Sequence, residues 1–144
     1  MARNVIEIAN RIISLSRPEY GDIISNLKLQ KLLYYVQGFN LAFNGKPIFN
    51  EDIYAWQYGP VVQEAYHHFK TNSLGGIITD TVDYVELSEE ESTLISDVWN
   101  VYGQYSAYRL MIFTHDESPW KSTQINNIIT HEKLKDYFIT QIAN

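Results

Sequence analysis

The sequence predicts a mainly α-helical protein, a compact single-domain bundle of about six helices with a small antiparallel β element. Three observations lead to this prediction. Residues 27–39 repeat apolar side chains at three- and four-residue spacing, which indicates a buried helix. Shorter segments with the same period precede and follow it, separated by turns that contain proline or glycine. Between them lie a few short segments of aromatic and β-branched residues, which favour strands.

Composition and charge exclude several classes of protein. The 144 residues suit one domain, and the absence of cysteine excludes disulfides, thiolate zinc sites and cysteine nucleophiles. No apolar run approaches the roughly 18 residues that a membrane-spanning helix needs, and the N-terminus lacks the uncharged core of a signal peptide. These features predict a cytoplasmic protein without a membrane partner. A net charge of −6 with scattered Lys and Arg argues against a nucleic-acid partner and favours a basic protein partner.

Two helices are expected in the first third of the chain. The first covers residues 3–15 and ends before Pro18, because proline disfavours helical backbone at the preceding residue. Ser25 or Asn26 caps the second, central helix, which ends near Gly45, a residue that readily adopts left-handed backbone. The apolar surface of the central helix is wider than one face, so this helix should be covered on two sides.

The polar remainder of the central helix is basic, with Lys28 and Lys31. Two interpretations of these lysines are open. They belong to a solvated helix face, or they form the basic rim of an aromatic groove.

The middle of the chain is predicted to contain the β element. Ile53–Trp56 is a strand, and the following turn leads to Pro60, which suits the first position of a helix that runs to about residue 70. Residues 77–78 and 82–85 are further candidate strands that pair with Ile53–Trp56. Gly59 is expected to have a positive φ because of its place in the turn.

Three capping residues mark the helices of the C-terminal half: Ser88, Ser106 and Thr130. Glu91, three residues after Ser88, completes a capping box, so the acidic run at residues 89–91 is interpreted as a helix start. Gly103 should end this helix with left-handed backbone.

No catalytic residue, metal or cofactor is predicted. His67 and His68 are adjacent in a helix and point about 100° apart, so they do not face one ion. His115, Asp116 and Glu117 combine a near-neutral titrating group with carboxylates, as an acid–base enzyme would. No nucleophile motif accompanies them. The favoured interpretation is that His115 hydrogen-bonds backbone and fixes the turn at residues 119–120.

Four segments, in order along the chain, resemble those of the Panacea domain, the family of SocA-like antitoxins and phage-associated proteins. They are the sequence NLKLQKLLYY at residues 26–35, AWQYGPVV at 55–62, LSEEE at 87–91 and THDESPW at 114–120.

The resemblance implies one domain over residues 1–144 that acts as an antitoxin and binds a cognate protein toxin directly. Neutralisation is then steric, or the antitoxin hands the toxin to a protease. Two alternatives stay open: a phage- or mobile-element-associated interaction protein without a toxin partner, and a hydrolase-like enzyme that uses His115 and nearby carboxylates.

The resemblance implies which residues bind the partner, when the motif residues of the family are matched one by one to positions of this sequence. They are Lys28, Lys31, Tyr34, Trp56, Tyr58, Gly59, Pro60, His115 and Trp120, with Pro119 beside them. The hypothesis is that the turn at residues 58–60 and the loop at 115–120 converge near Lys31 and Tyr34 and form one patch. The chain has eleven tyrosines, which offer a large rigid surface with a polar tip and are favoured in protein contacts.

Overall fold

A computed structural model of the protein describes residues 2–17, 23–70 and 86–142. Within these ranges the chain forms seven helices and three short strands. They are α1 (Val5–Ser14), α2 (Asn26–Asn44), β1 (Ile53–Trp56), β2 (Gly59–Val61), α3 (Gln63–Phe69), α4 (Glu89–Tyr102), α5 (Ala107–His115), α6 (Ser118–Lys121), β3 (Ile128–Ile129) and α7 (His131–Ile142). The predicted mainly α fold with a small antiparallel sheet is confirmed.

Helix α2 is the centre of the fold, and α1, α3, α4, α5, α7 and β2 all pack against it. It begins at the Ser25 cap, whose side chain accepts a hydrogen bond from the Lys28 amide, and ends at Gly45 with φ +73°. Every residue from 29 to 38 is buried, so α2 is covered on all sides rather than on two. Lys31 therefore does not lie on a polar face, and both sequence interpretations of this lysine are wrong.

Helix α7 packs directly against the backbone of α2 at Gly38. A Cβ atom on Gly38 would lie 2.2 Å from two carbons of the Phe138 ring, so the ring occupies the space of a side chain. The same ring packs edge-on against Tyr34 and Phe39, with ring centroids 5.4 and 4.8 Å away. Gly38 is thus required for the α2–α7 contact, which was not predicted from the sequence.

The sheet has the order β2-β1-β3, with both neighbours antiparallel to β1. The prediction that Pro60 starts a helix is wrong, because Pro60 pairs with Ala55 inside β2 and α3 begins at Gln63. Proline is tolerated here since β2 is an edge strand of the sheet. The candidate strands at residues 77–78 and 82–85 lie outside the described residues, and both sides of β1 are occupied by β2 and β3.

The helix starts in the C-terminal half follow the predicted caps. The side chains of Ser88 and Glu91 form both hydrogen bonds of the capping box at the start of α4. Gly103 ends α4 with φ −63°, so the expected left-handed conformation is wrong. Glycine is needed there for space instead, because a Cβ atom would lie 2.5 Å from the Trp99 carbonyl oxygen. No helix of the described part is long and apolar enough to cross a bilayer.

Candidate functional site

The turn between β1 and β2 meets the last residue of α5 and the short helix α6. Trp120 donates a hydrogen bond from Nε1 to the Trp56 carbonyl at 2.8 Å. His115 donates from Nε2 to the Gln57 carbonyl at 3.1 Å. The expected bond from His115 to backbone is therefore present, but it holds the turn at Gln57 and not the turn at residues 119–120. The rings of His115 and Trp120 stack, with centroids 4.1 Å apart and planes inclined by 21°. Two consecutive carbonyls of the turn are therefore held by one stacked pair of rings.

We call the outward-facing side chains of Trp56, Gln57, Tyr58, His115 and Trp120 the hairpin surface. The Tyr58 side chain is 60% exposed, Gln57 is exposed, and the other three are half-buried. The surface is mostly aromatic, and its backbone is fixed by the hydrogen bonds of His115 and Trp120. It is thus a rigid surface suited to contact with another molecule.

Gly59 allows the turn to approach the helices beneath it. Its φ is +106°, as its place in the turn predicted. A Cβ atom would lie 2.6 Å from Cε of Lys31 and 3.0 Å from Oγ1 of Thr114, a buried residue of α5. Only glycine satisfies both the backbone conformation and the lack of space.

Lys31 supports the turn from below. Its side chain is 0% exposed, and Nζ donates a hydrogen bond to the Pro60 carbonyl at 3.1 Å. Burial lowers the pKa of Lys31 to about 7, because the charged form loses its hydration. Lys31 therefore anchors the backbone of β2 to α2 and presents no charge at the surface.

A second polar contact joins α2 to the start of α6. Tyr34 and Tyr35 each donate a hydrogen bond to one carboxylate oxygen of Glu117, both at 2.9 Å. Burial raises the pKa of Glu117 to about 7, and the two hydroxyl groups lower it by a smaller amount. Burial also raises the pKa of both tyrosines, with the nearby Glu117 carboxylate as a further cause.

His115, Asp116 and Glu117 are the residues that most resemble an acid–base active site in the sequence. Both oxygens of Glu117 are bonded to tyrosines, and His115 Nε2 is bonded to backbone. Both groups thus have structural contacts that fix the α5–α6 connection. Across residues 2–17, 23–70 and 86–142, no three His, Asp or Glu side chains are grouped so as to hold a metal ion.

The residues expected to bind a partner fall into three groups. Trp56, Tyr58, His115 and Trp120 reach the hairpin surface. The four residues Lys31, Tyr34, Gly59 and Pro60 are buried directly beneath or beside it. Lys28 is placed elsewhere: its Nζ donates to the Gly103 carbonyl at 2.6 Å and lies 5.6 Å from the Trp99 ring centroid. The two separated segments therefore converge near Lys31 and Tyr34, and partner binding stays a prediction.

Two buried glutamines that fix the neighbouring backbone were not predicted from the sequence. Gln30 accepts a hydrogen bond from the Val62 amide at 2.9 Å. Gln37 accepts from the Ile48 amide at 2.8 Å and donates to the Phe49 carbonyl at 3.0 Å. Uncharged polar residues within an otherwise apolar helix were the available signal, since buried polar groups require partners.

Comparison with known proteins places these elements in a family. A family model described as "Antitoxin SocA-like, Panacea domain" matches residues 29–121, from the start of the buried part of α2 to the end of α6. The protein named Antitoxin SocA of Caulobacter vibrioides (strain NA1000 / CB15N) is 33% identical over 109 residues, which are 67% of this chain and 58% of the relative. The chain thus spans less than two thirds of that relative's length. No solved structure matches the chain significantly. The family match covers both segments that form the hairpin surface, and the chain belongs to the family of SocA-like antitoxins with a Panacea domain.

Proposed function

We propose that this protein is an antitoxin that neutralises a cognate protein toxin by direct contact, and that the hairpin surface contacts the toxin. Membership of the SocA-like family supports the antitoxin role. The choice of the hairpin surface as the contact site depends on the position of Tyr58. This residue is 60% exposed, at a turn whose backbone accepts hydrogen bonds from His115 and Trp120.

The chemistry of the hairpin surface favours a protein over a small molecule. Aromatic side chains with a polar tip are enriched where proteins bind one another. Because hydrogen bonds already fix the turn, little conformational entropy is lost when a partner orders it. Lys31 and Glu117, which lie below the hairpin surface, form hydrogen bonds within the protein. They therefore stabilise the backbone of this surface, and its aromatic side chains contact the partner.

Co-expression tests this proposal. A toxic open reading frame next to this gene is expressed alone, with the wild-type protein, and with the Tyr58→Ala variant. The wild type should restore growth, and Tyr58→Ala should weaken toxin binding by about tenfold or more, since exposed aromatic anchors dominate many interfaces. Tyr108→Ala is the matched control, because Tyr108 on α5 is 66% exposed and lies outside the hairpin surface. Growth and binding by calorimetry are the measurements.

The same experiment separates the alternatives. Equal neutralisation by Tyr58→Ala and wild type, with equal melting temperatures, would show that the toxin binds elsewhere. Absence of any toxic neighbour would favour an interaction protein without a toxin partner. Toxin abundance, followed by immunoblotting, distinguishes the two routes of neutralisation. Steric blocking leaves the amount of toxin unchanged, whereas delivery to a protease lowers it.

A further inference from the structure

A second surface, which shares no residue with the hairpin surface, lies between the C-terminal part of α2 and the outer side of α4. Two adjoining depressions of about 590 and 310 Å³ share Phe43, Leu94 and Asp97 as lining residues. We call the two together the α2–α4 groove. Its apolar lining consists of Phe39, Phe43, Leu94, Val98, Val101 and Tyr102.

The floor of the α2–α4 groove exposes large apolar side chains to solvent. Phe43 is 60% exposed and Val101 is 51% exposed. Phe39 and Phe43 are one helical turn apart on α2, with ring centroids separated by 6.5 Å. The other apolar lining residues are half-buried or buried, and exposed apolar side chains beside them make the groove a candidate interaction site.

Carboxylates border the apolar floor. Glu89, Glu90 and Asp97 line the groove, and none of its described lining residues is basic. Arg3 and Lys46 line the adjoining depression, where Arg3 is paired with Glu91 at 2.8 Å. Glu89 and Glu90 lie in the first turn of α4 and also interact favourably with the helix dipole. Asp97 lies two turns further along, where the dipole does not account for it.

The groove has the shape of a site for a helix. Glu90, Leu94, Asp97 and Val101 form one stripe along α4 at four- and three-residue spacing. From Glu89 to Val101 the groove follows α4 for about 18 Å at the rise of an α-helix, which equals roughly three turns. Its walls are helices with no free strand edge, so an added strand would find no backbone partner. An amphipathic helix would bury an apolar stripe on the floor and place charges at the border.

We propose that the α2–α4 groove binds an amphipathic helix of a partner protein, with an apolar stripe flanked by Lys or Arg. The apolar stripe packs against Phe43, Leu94 and Val101. The basic side chains pair with Glu89, Glu90 and Asp97, in agreement with the net charge of −6 of this chain. This surface is independent of the toxin contact proposed above.

A designed peptide tests the groove directly. The probe is a fluorescein-labelled 18-residue peptide of leucine and lysine whose leucines form one helical stripe, and its binding is measured by fluorescence anisotropy in 150 mM salt. A scrambled peptide of the same composition removes the stripe, and a leucine–glutamate peptide reverses the charge. The striped lysine peptide should bind, and both others should bind at least about tenfold more weakly.

Variants locate the site. Phe43→Ser and Asp97→Lys should each weaken binding about tenfold, whereas the matched controls Ile125→Ser and Asp136→Lys should change it less than about twofold. Ile125 is 48% exposed and Asp136 is exposed on α7, both outside the groove. Circular dichroism confirms that each variant is folded. Equal weakening by groove and control variants, or undetectable binding of the striped peptide, overturns the proposal. So does a dimer in sedimentation velocity that depends on Phe43, because a second copy would then be the occupant.

Discussion

At the scale of single residues, Gly59, which is buried beneath the hairpin surface, allows the fewest replacements. Gly59→Val should lower the free energy of unfolding by about 1–3 kcal/mol from backbone strain at positive φ. The contact of the new Cβ with Lys31, at 2.6 Å from Cε, adds to this loss. Urea unfolding is the measurement.

Gly45→Val is the matched control for Gly59→Val. Gly45 has φ +73°, and a Cβ there would have no heavy atom within 4 Å. This substitution therefore introduces backbone strain without a clash, and its effect on stability should be smaller. Equal losses in the two variants would show that Lys31 gives way easily, and an unchanged stability of Gly59→Val would contradict the conformation of the turn.

At the scale of elements, the α2–α7 contact depends on the lack of a side chain at Gly38. Gly38→Ala should destabilise the protein by about 1–3 kcal/mol, because the new methyl group overlaps the Phe138 ring. Shortening the ring side chain in Phe138→Leu makes room, so the double variant should be more stable than the sum of the two single effects implies. Thermal and urea unfolding of the four proteins form a double-mutant cycle. Additive effects would mean that the two residues do not compete for the same space.

Local signals predicted most of the helices and strand β1, whereas elements and contacts that depend on distant residues were missed. The caps at Ser25 and Ser88 act within one turn of helix, so the sequence contains all that they need. Pro60 was misplaced because its local preference fits a helix start, while its actual position depends on pairing with Ala55. The two-residue strand β3 is too short to give a pattern of its own.

The candidate site was predicted in part for the same reason. Its segments were found from their motifs, and the structure brings them together. The burial of Lys31 was not foreseen, because lysine is rarely buried unless it is paired and its partner is a backbone carbonyl 29 residues away. The role of Glu117 likewise depends on two tyrosines of α2 that are distant in sequence.

At the scale of the whole molecule, the half-buried Glu117 and the buried Lys31 should shape the dependence of stability on pH. Glu117 has its pKa raised from 4.5 to about 7, so between these values the folded protein keeps a proton that the unfolded chain releases. Its contribution to stability therefore falls as pH rises through this window. Lys31 has its pKa lowered from 10.5 to about 7, so above pH 7 the unfolded chain binds the extra proton. Its contribution rises toward pH 10.5.

Substitution of Glu117 should remove the fall in stability below pH 7, and substitution of Lys31 should remove the rise above pH 7. Urea unfolding at pH 5, 7 and 9 compares the wild type with Glu117→Gln and Lys31→Met. Relative to the wild type, Glu117→Gln should gain stability by about 1–3 kcal/mol between pH 5 and 7. Lys31→Met should lose a comparable amount between pH 7 and 9. Glu132→Gln, an exposed carboxylate at the start of α7, is the control. Profiles that stay parallel for all four proteins would contradict the assignment of these two groups.

The enclosure of Lys31 has a consequence for chemical labelling. An acylating reagent cannot touch an amine that has no solvent-accessible surface, so Lys31 reacts only when the turn above it lifts. The rate at which acetylation of Lys31 accumulates in a mass spectrum therefore rises with the fraction of time for which the turn is open. A partner bound across the turn would slow this acetylation while the exposed amines of Lys121 and Lys135 react as before.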